Sequence, residues 1–154
     1  MTRNTFKIFF VLISLCASLW ARYERDTGKE VVIDSKTNLI WQDNERVSEN
    51  KQDWWNALEY CNDLTLGNYD DWRLPNIREL LSITDKSKFD PAMHSAFKWF
   101  RSSDYWSATT RASDSSSAWS VYFYNGYDYY HGKSFSYYVR CVRQEQLIFD
   151  FIPL

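Results

Sequence analysis

The chain has 154 residues, 18 basic and 20 acidic, for a formal net charge of −2, and 29 of them are aromatic. A weakly acidic chain without runs of like charge lacks the electrostatic footprint of a nucleic-acid-binding protein and carries no charged tail. With 4 Gly and 3 Pro it shows neither a linker nor an internal repeat.

Residues 1–21 carry Arg3 and Lys7, then an apolar run from Ile8 to Leu15, then small residues. That is the pattern of a secretory signal peptide, with cleavage after Ala21 or, alternatively, after Ser18. The run is shorter than the roughly 20 apolar residues of a bilayer span, so no membrane span is expected after cleavage. Cys16 raises a lipoprotein reading, but Leu15 is too large for the small residue that normally precedes a lipidated cysteine. Residues 22–154 are expected to form one domain, carrying 16 basic and 20 acidic residues, or −4. Cys61 and Cys141 remain there, an even number in an oxidising compartment, and a disulfide is the default reading.

Along that domain, Val31 to Ile33 and Leu39 to Trp41 read as two strands around a turn at 34–38. A helix is expected over 53–64, capped by Asp53, with Trp54, Ala57, Leu58, Cys61 and Leu64 on one inward face. Residues 68–71 are turn-like. A second helix is expected over 72–84, with Pro75 in its first position and Ile77, Leu80, Leu81 and Thr84 inward. Met93, Phe97, Trp99 and Phe100 should pack down the loop that follows.

The remainder reads as β-structure: a strand at 105–109, a polar loop at 111–117, and a two-faced strand with Trp119, Val121 and Phe123 inward and Ser120, Tyr122 and Tyr124 outward. Asn125-Gly126 signals a hairpin in which both residues can take positive φ. A last long strand is expected over 135–143. The apolar tail 147–154 has no clear place. Strands at both ends with helices between make the class α+β.

Trp72-Arg73-Leu74-Pro75 with Ile77, Glu79 and Leu80, then Tyr105-Trp106-Ser107, Trp119 to Phe123 with Gly126, and Tyr138-Val139-Arg140-Cys141-Val142-Arg143, preceded by Asp34, Thr37, Leu39 and Trp41, together resemble the Lcl C-terminal domain family of bacteria over residues 31–143. The resemblance implies the C-type-lectin-like fold shared with formylglycine-generating enzymes: two helices on small antiparallel sheets. In it a disulfide ties the first helix to the last strand, here Cys61 to Cys141. It also implies ligand binding, since a collagen-like adhesin of the family is implicated in binding sulfated glycans; this chain lacks that member's Gly-X-Y repeat.

Enzyme chemistry finds little footing. Only His94 and His131 are available as imidazole bases, His94 in a packed loop, and both cysteines of the domain are committed to the bridge. No zinc spacing is present, nor the calcium-lectin motifs, so no metal or cofactor is expected. Arg73, Glu79, Arg140 and Arg143 read either as an anion-binding cluster or as ion pairs, for example Glu79 with Arg140.

The segment 119–138 holds 10 aromatics in 20 residues. Tyr122, Tyr124, Asn125, Tyr127, Asp128, Tyr129, Tyr130 and His131 have the composition of antibody contact loops. They are the expected ligand-binding residues, for a glycan or protein at a cell surface. The alternatives are an envelope protein in which these rings form a structural cross-strand ladder, or an unrecognised enzyme.

Overall fold

The apolar runs at Val31 and Leu39 do pair. In the computed structural model, which describes residues 22–145, β2 (Val31–Asp34) and β3 (Leu39–Gln42) form an antiparallel hairpin with Val32 opposite Trp41. An additional strand, β1 (Tyr23–Asp26), flanks β2. Only Tyr23 of β1 is apolar and buried, so alternation gave no signal there. β9 (Val142–Gln144) completes a four-stranded sheet in the order β1-β2-β3-β9. A second sheet has the order β4-β8-β5-β6-β7, from β4 (Lys51–Gln52), β8 (Tyr137–Tyr138), β5 (Asp104–Arg111), β6 (Asp114–Tyr122) and β7 (Tyr127–Gly132). This sheet is mixed, because β5 and β8 run parallel where Tyr105 meets Tyr138. The expected signal peptide and the tail 147–154 lie outside the described residues.

Two helices cover opposite faces. α1 (Trp54–Asn62) starts where expected, because the Asp53 carboxylate accepts from the Asn56 amide at 2.9 Å. It packs with Val31, Ile40, Trp106, Ala118 and Val139 in one core cluster. α2 (Ile77–Ser82) sends Leu80, with Ile83 just beyond its end, into a second cluster with Val32, Trp41, Met93, Phe97, Tyr105, Val121 and Phe123. Strand alternation feeds both clusters at once: Tyr105 points to one side and Trp106 to the other. α2 is shorter than expected, and Pro75 lies outside it. Asn76 is the cap, bonded to the Glu79 amide while Glu79 returns to the Asn76 amide, a closed box that starts the helix after the proline. Ile83, rather than Thr84, is the buried residue at its far end.

Two further expectations are corrected. Residues 111–117 are the end of a β-hairpin and not a loop, with Arg111 paired to Asp114. The serines there are strand residues at the rim, and the Asp114 carboxyl gathers the Ser116 and Ser117 hydroxyls, which pull its pKa down to about 2. Residues 135–143 do not form one strand. The chain leaves the five-stranded sheet after Tyr138 and enters the other at Val142, and Val139, Arg140 and Cys141 between them are buried.

That crossing holds the polar centre of the interior. Arg140 and Asp43 are both fully buried and 3.3 Å apart. Arg140 also donates to the carbonyls of Gln42 and Trp99. Asp43 accepts from Arg25 at 2.5 Å and from the amides of Lys98 and Trp99. Glu79 pairs with Arg73, through two bonds of 2.8 and 2.7 Å, and Arg143 pairs with Asp71; the expected Glu79–Arg140 pair is replaced by these. Cys61 and Cys141 form the expected disulfide, Cα atoms 5.4 Å apart, closing a sequence separation of 80.

Four outcomes follow from these pairs and burials. Proteolytic mapping without reductant should recover Cys61 and Cys141 in one linked fragment, and reduction should cost about 4 kcal/mol of stability on the loop-entropy estimate. Asp43→Ala strands a buried guanidinium and should cost about 3–5 kcal/mol in denaturant titration. Arg73→Ala, at a half-exposed pair, should cost about 1 kcal/mol or less. Burial pushes the phenols of Tyr23 and Tyr105 up to about 12 from 10.0. The unfolded chain loses those protons first, so stability is intact below about pH 10 and falls as pH rises toward 12. Tyrosinate absorbance should show two late-titrating phenols.

Candidate functional site

The candidate site is the β6–β7 hairpin at the edge of the five-stranded sheet. Its turn spans four residues, with the amides of Asn125 and Gly126 both donating to the Tyr122 carbonyl and Tyr122 opposite Tyr127. Of the pair expected at positive φ, only Gly126 adopts it, at 76°. A Cβ at Gly126 would sit 3.1 Å from the Ala92 side chain, so the tip is held against the loop that follows α2. Two backbone bonds complete that clamp, from Asp90 to the Tyr124 carbonyl and from Ala92 to the Phe123 carbonyl.

The pleat divides the tyrosines. Register places Tyr122, Tyr127, Tyr129 and His131 on one face, and Val121, Trp119, Asp128 and Tyr130 on the other. On the first face, ring contacts run continuously: Phe89 to Tyr124 at 4.3 Å, Tyr124 to Tyr122 at 5.6 Å, and Tyr122 to Tyr129 at 6.1 Å. The Asn125 amide donates to the Tyr129 hydroxyl at 3.0 Å, and Lys86 lies over the Tyr127 ring. On the second face Tyr130 meets Trp119 edge-on at 5.7 Å, and the Arg111 guanidinium lies 3.7 Å from its ring centre.

Exposure separates roles more sharply than composition does. Tyr127, Tyr129 and Tyr130 are 56%, 42% and 47% exposed. Tyr122, Tyr124 and Asn125 are half-buried, and Asp128 is exposed with no ion-pair partner among the described residues. Trp119, expected in the core, is only half-buried and belongs to neither core cluster, because it lies at the rim under Tyr130. Phe123 is fully buried, as expected.

His131 stands apart from the tyrosine row. Its Nε2 is 3.2 Å from Asp104 Oδ1, and its ring leans on Tyr137 at 4.4 Å. The buried Ser120 hydroxyl donates to that same Asp104 oxygen at 2.9 Å. The carboxylate therefore sits between serine and histidine. A serine nucleophile needs the imidazole in that middle place to take its proton. His94 accepts from the Ala96 amide and packs on Tyr23 at 4.2 Å; desolvation, reinforced by nearby Lys88, lowers its pKa. No group of three His, Cys, Asp or Glu residues is placed to hold a metal among the described residues.

Phe89, Lys86, Arg111 and Asp104 join the site without having been singled out from the sequence. A lone phenylalanine in the polar stretch 85–90 was the one available signal. The others meet the hairpin only through packing and register.

The partition of roles predicts a contrast. Phe123→Ala should cost about 3–5 kcal/mol, as for a fully buried aromatic. Trp119→Ala should cost clearly less in the same denaturant titration.

The Lcl C-terminal domain model matches residues 30–143 of this chain. No curated protein matches it.

Proposed function

The chain belongs to the Lcl C-terminal domain family, and from that premise we propose that it is an exported, non-enzymatic binding module that recognises a glycan or protein through the tyrosine hairpin. The observation that carries this reading is the exposure of Tyr127, Tyr129 and Tyr130 on one six-residue edge strand. Large rings normally leave water when packing allows. Held in the open on a clamped hairpin, they offer apolar area at low entropic cost, with hydroxyls that stay wet. Such rings stack on the CH faces of sugars without a metal.

Export is proposed from the N-terminal pattern and is supported by the Cys61–Cys141 bridge, which belongs to an oxidising compartment. The C-type-lectin-like relationship is proposed on the same bridge, which joins the first helix to the final crossing.

A second reading has its own observation. The contacts from Phe89 through Tyr124 and Tyr122 to Tyr129 are those of a structural ladder, as in an envelope protein whose aromatics only stabilise the fold.

A glycan array probed with the parent and with Tyr127→Ser/Tyr129→Ser, alongside thermal melting, separates the two. On the binding reading, stability changes by no more than about 0.5 kcal/mol, while affinity falls by about 2 kcal/mol for each ring that anchors ligand. Melting that collapses in the variant, with no ligand for the parent, leaves the structural reading standing.

A further inference from the structure

Each sheet ends in two edges, and three of the four are guarded. β1 carries Glu24, Arg25 and Asp26. β9 has three residues, and its Val142 backbone exchanges two bonds with Arg73. β4 has two residues and begins with Lys51. Short length, charge and coverage are how proteins keep an edge from pairing with another chain. β7 has six residues, Tyr-Asp-Tyr-Tyr-His-Gly, with one carboxylate, no lysine and no proline.

Register shows which β7 groups are unpaired. The Lys133 amide donates to the Ser116 carbonyl, and the Phe123 amide to the Ser103 carbonyl on the other side of β6. Antiparallel ladders alternate hydrogen-bonded and non-hydrogen-bonded pairs. Both bonds therefore assign Ala118/His131, Ser120/Tyr129 and Tyr122/Tyr127 as the bonded pairs of β6 and β7. Asp128 and Tyr130 consequently direct their N–H and C=O groups away from the sheet, and no described residue bonds them.

We infer that β7 is a homodimerisation edge, at which a second copy of this chain pairs antiparallel about a two-fold axis through Tyr129. That register sets Asp128 opposite the partner's Tyr130 and Tyr130 opposite the partner's Asp128, so the outward groups of both residues are engaged. It is also the electrostatically matched one. Side chains directly opposite share a face, so the unpaired Asp128 carboxylate arrives beside the partner copy's Arg111, already stacked on Tyr130. Two such contacts form by symmetry. On the other face Tyr129 meets its own copy, joining two tyrosine rows into one.

Sedimentation of the protein as purified from its host tests this across a range of concentrations. A monomer–dimer equilibrium is expected. Asp128→Pro removes one outward N–H without touching a bond to β6, and should be monomeric with unchanged melting. Asp128→Arg and Arg111→Asp should each be monomeric alone, and an equimolar mixture should regain twice the monomer mass, because each copy then supplies the charge the other needs. A wild type that stays monomeric throughout, a trimer or larger assembly, an Asp128→Pro variant that still dimerises, or a mixture that stays monomeric while both variants melt as folded proteins would overturn it. The inference does not rest on what the tyrosines bind. Dimerisation without ligand, or ligand binding by a monomer, shows which of the two proposals has failed.

Discussion

A fully buried guanidinium beside a fully buried carboxylate organises this molecule. Arg140 and Asp43 lie on chain segments almost a hundred residues apart, and neither can be solvated where it sits. The charges are tolerable only if β3 ends at Gln42, the segment around Trp99 turns its amides inward, and the chain crosses between sheets at Arg140. Gln42 reinforces the geometry from the next position, with its amide on the Cys141 carbonyl and its side-chain oxygen on the Cys141 amide. The disulfide then secures α1 to the same residue. Four consecutive positions, Val139 to Val142, thus place both sheets and one helix.

With that centre in place, the aromatic richness of the chain divides by strand parity. Tyr105 and Trp106 are neighbours in sequence and belong to different cores. The Trp106 indole donates to the Gln52 carbonyl and the Trp54 indole to that of Ser107, while the buried Trp41 indole N–H has no hydrogen-bond partner among the described residues. Parity also divides the hairpin, so the tyrosines that read as one cluster along the chain occupy two faces of a sheet edge.

What could be read from sequence was what depends on local rules. The β2–β3 hairpin shows in its apolar runs, the start of α1 in Asp53, and the bridge in the count of cysteines. Rules that compete were harder. Pro75 and Asn76 are both good helix starters, and the reciprocal bonds with Glu79 decide for Asn76. Serines at 115–117 resemble a loop because a rim strand and a loop are equally polar. The partners of Glu79, Arg140 and Arg143 are long-range facts, as is the half-burial of Trp119, since parity gives its face but not its distance from the sheet's edge. The exposure of β7 follows from strand order, which no local pattern encodes.

The clamp on the hairpin tip separates what holds the turn from what the strand displays. Gly126 and the backbone bonds to Asp90 and Ala92 fix the turn using main-chain atoms and one missing side chain. The clamp itself therefore asks nothing of the side chains at 127 to 130, beyond what a strand requires. Substitutions there leave the clamp intact, whereas a side chain at 126 must displace Ala92 and a substitution at 140 takes the buried guanidinium away from the buried Asp43. The hairpin is in this sense a cassette, the chemistry it displays being set apart from the contacts that hold it in place.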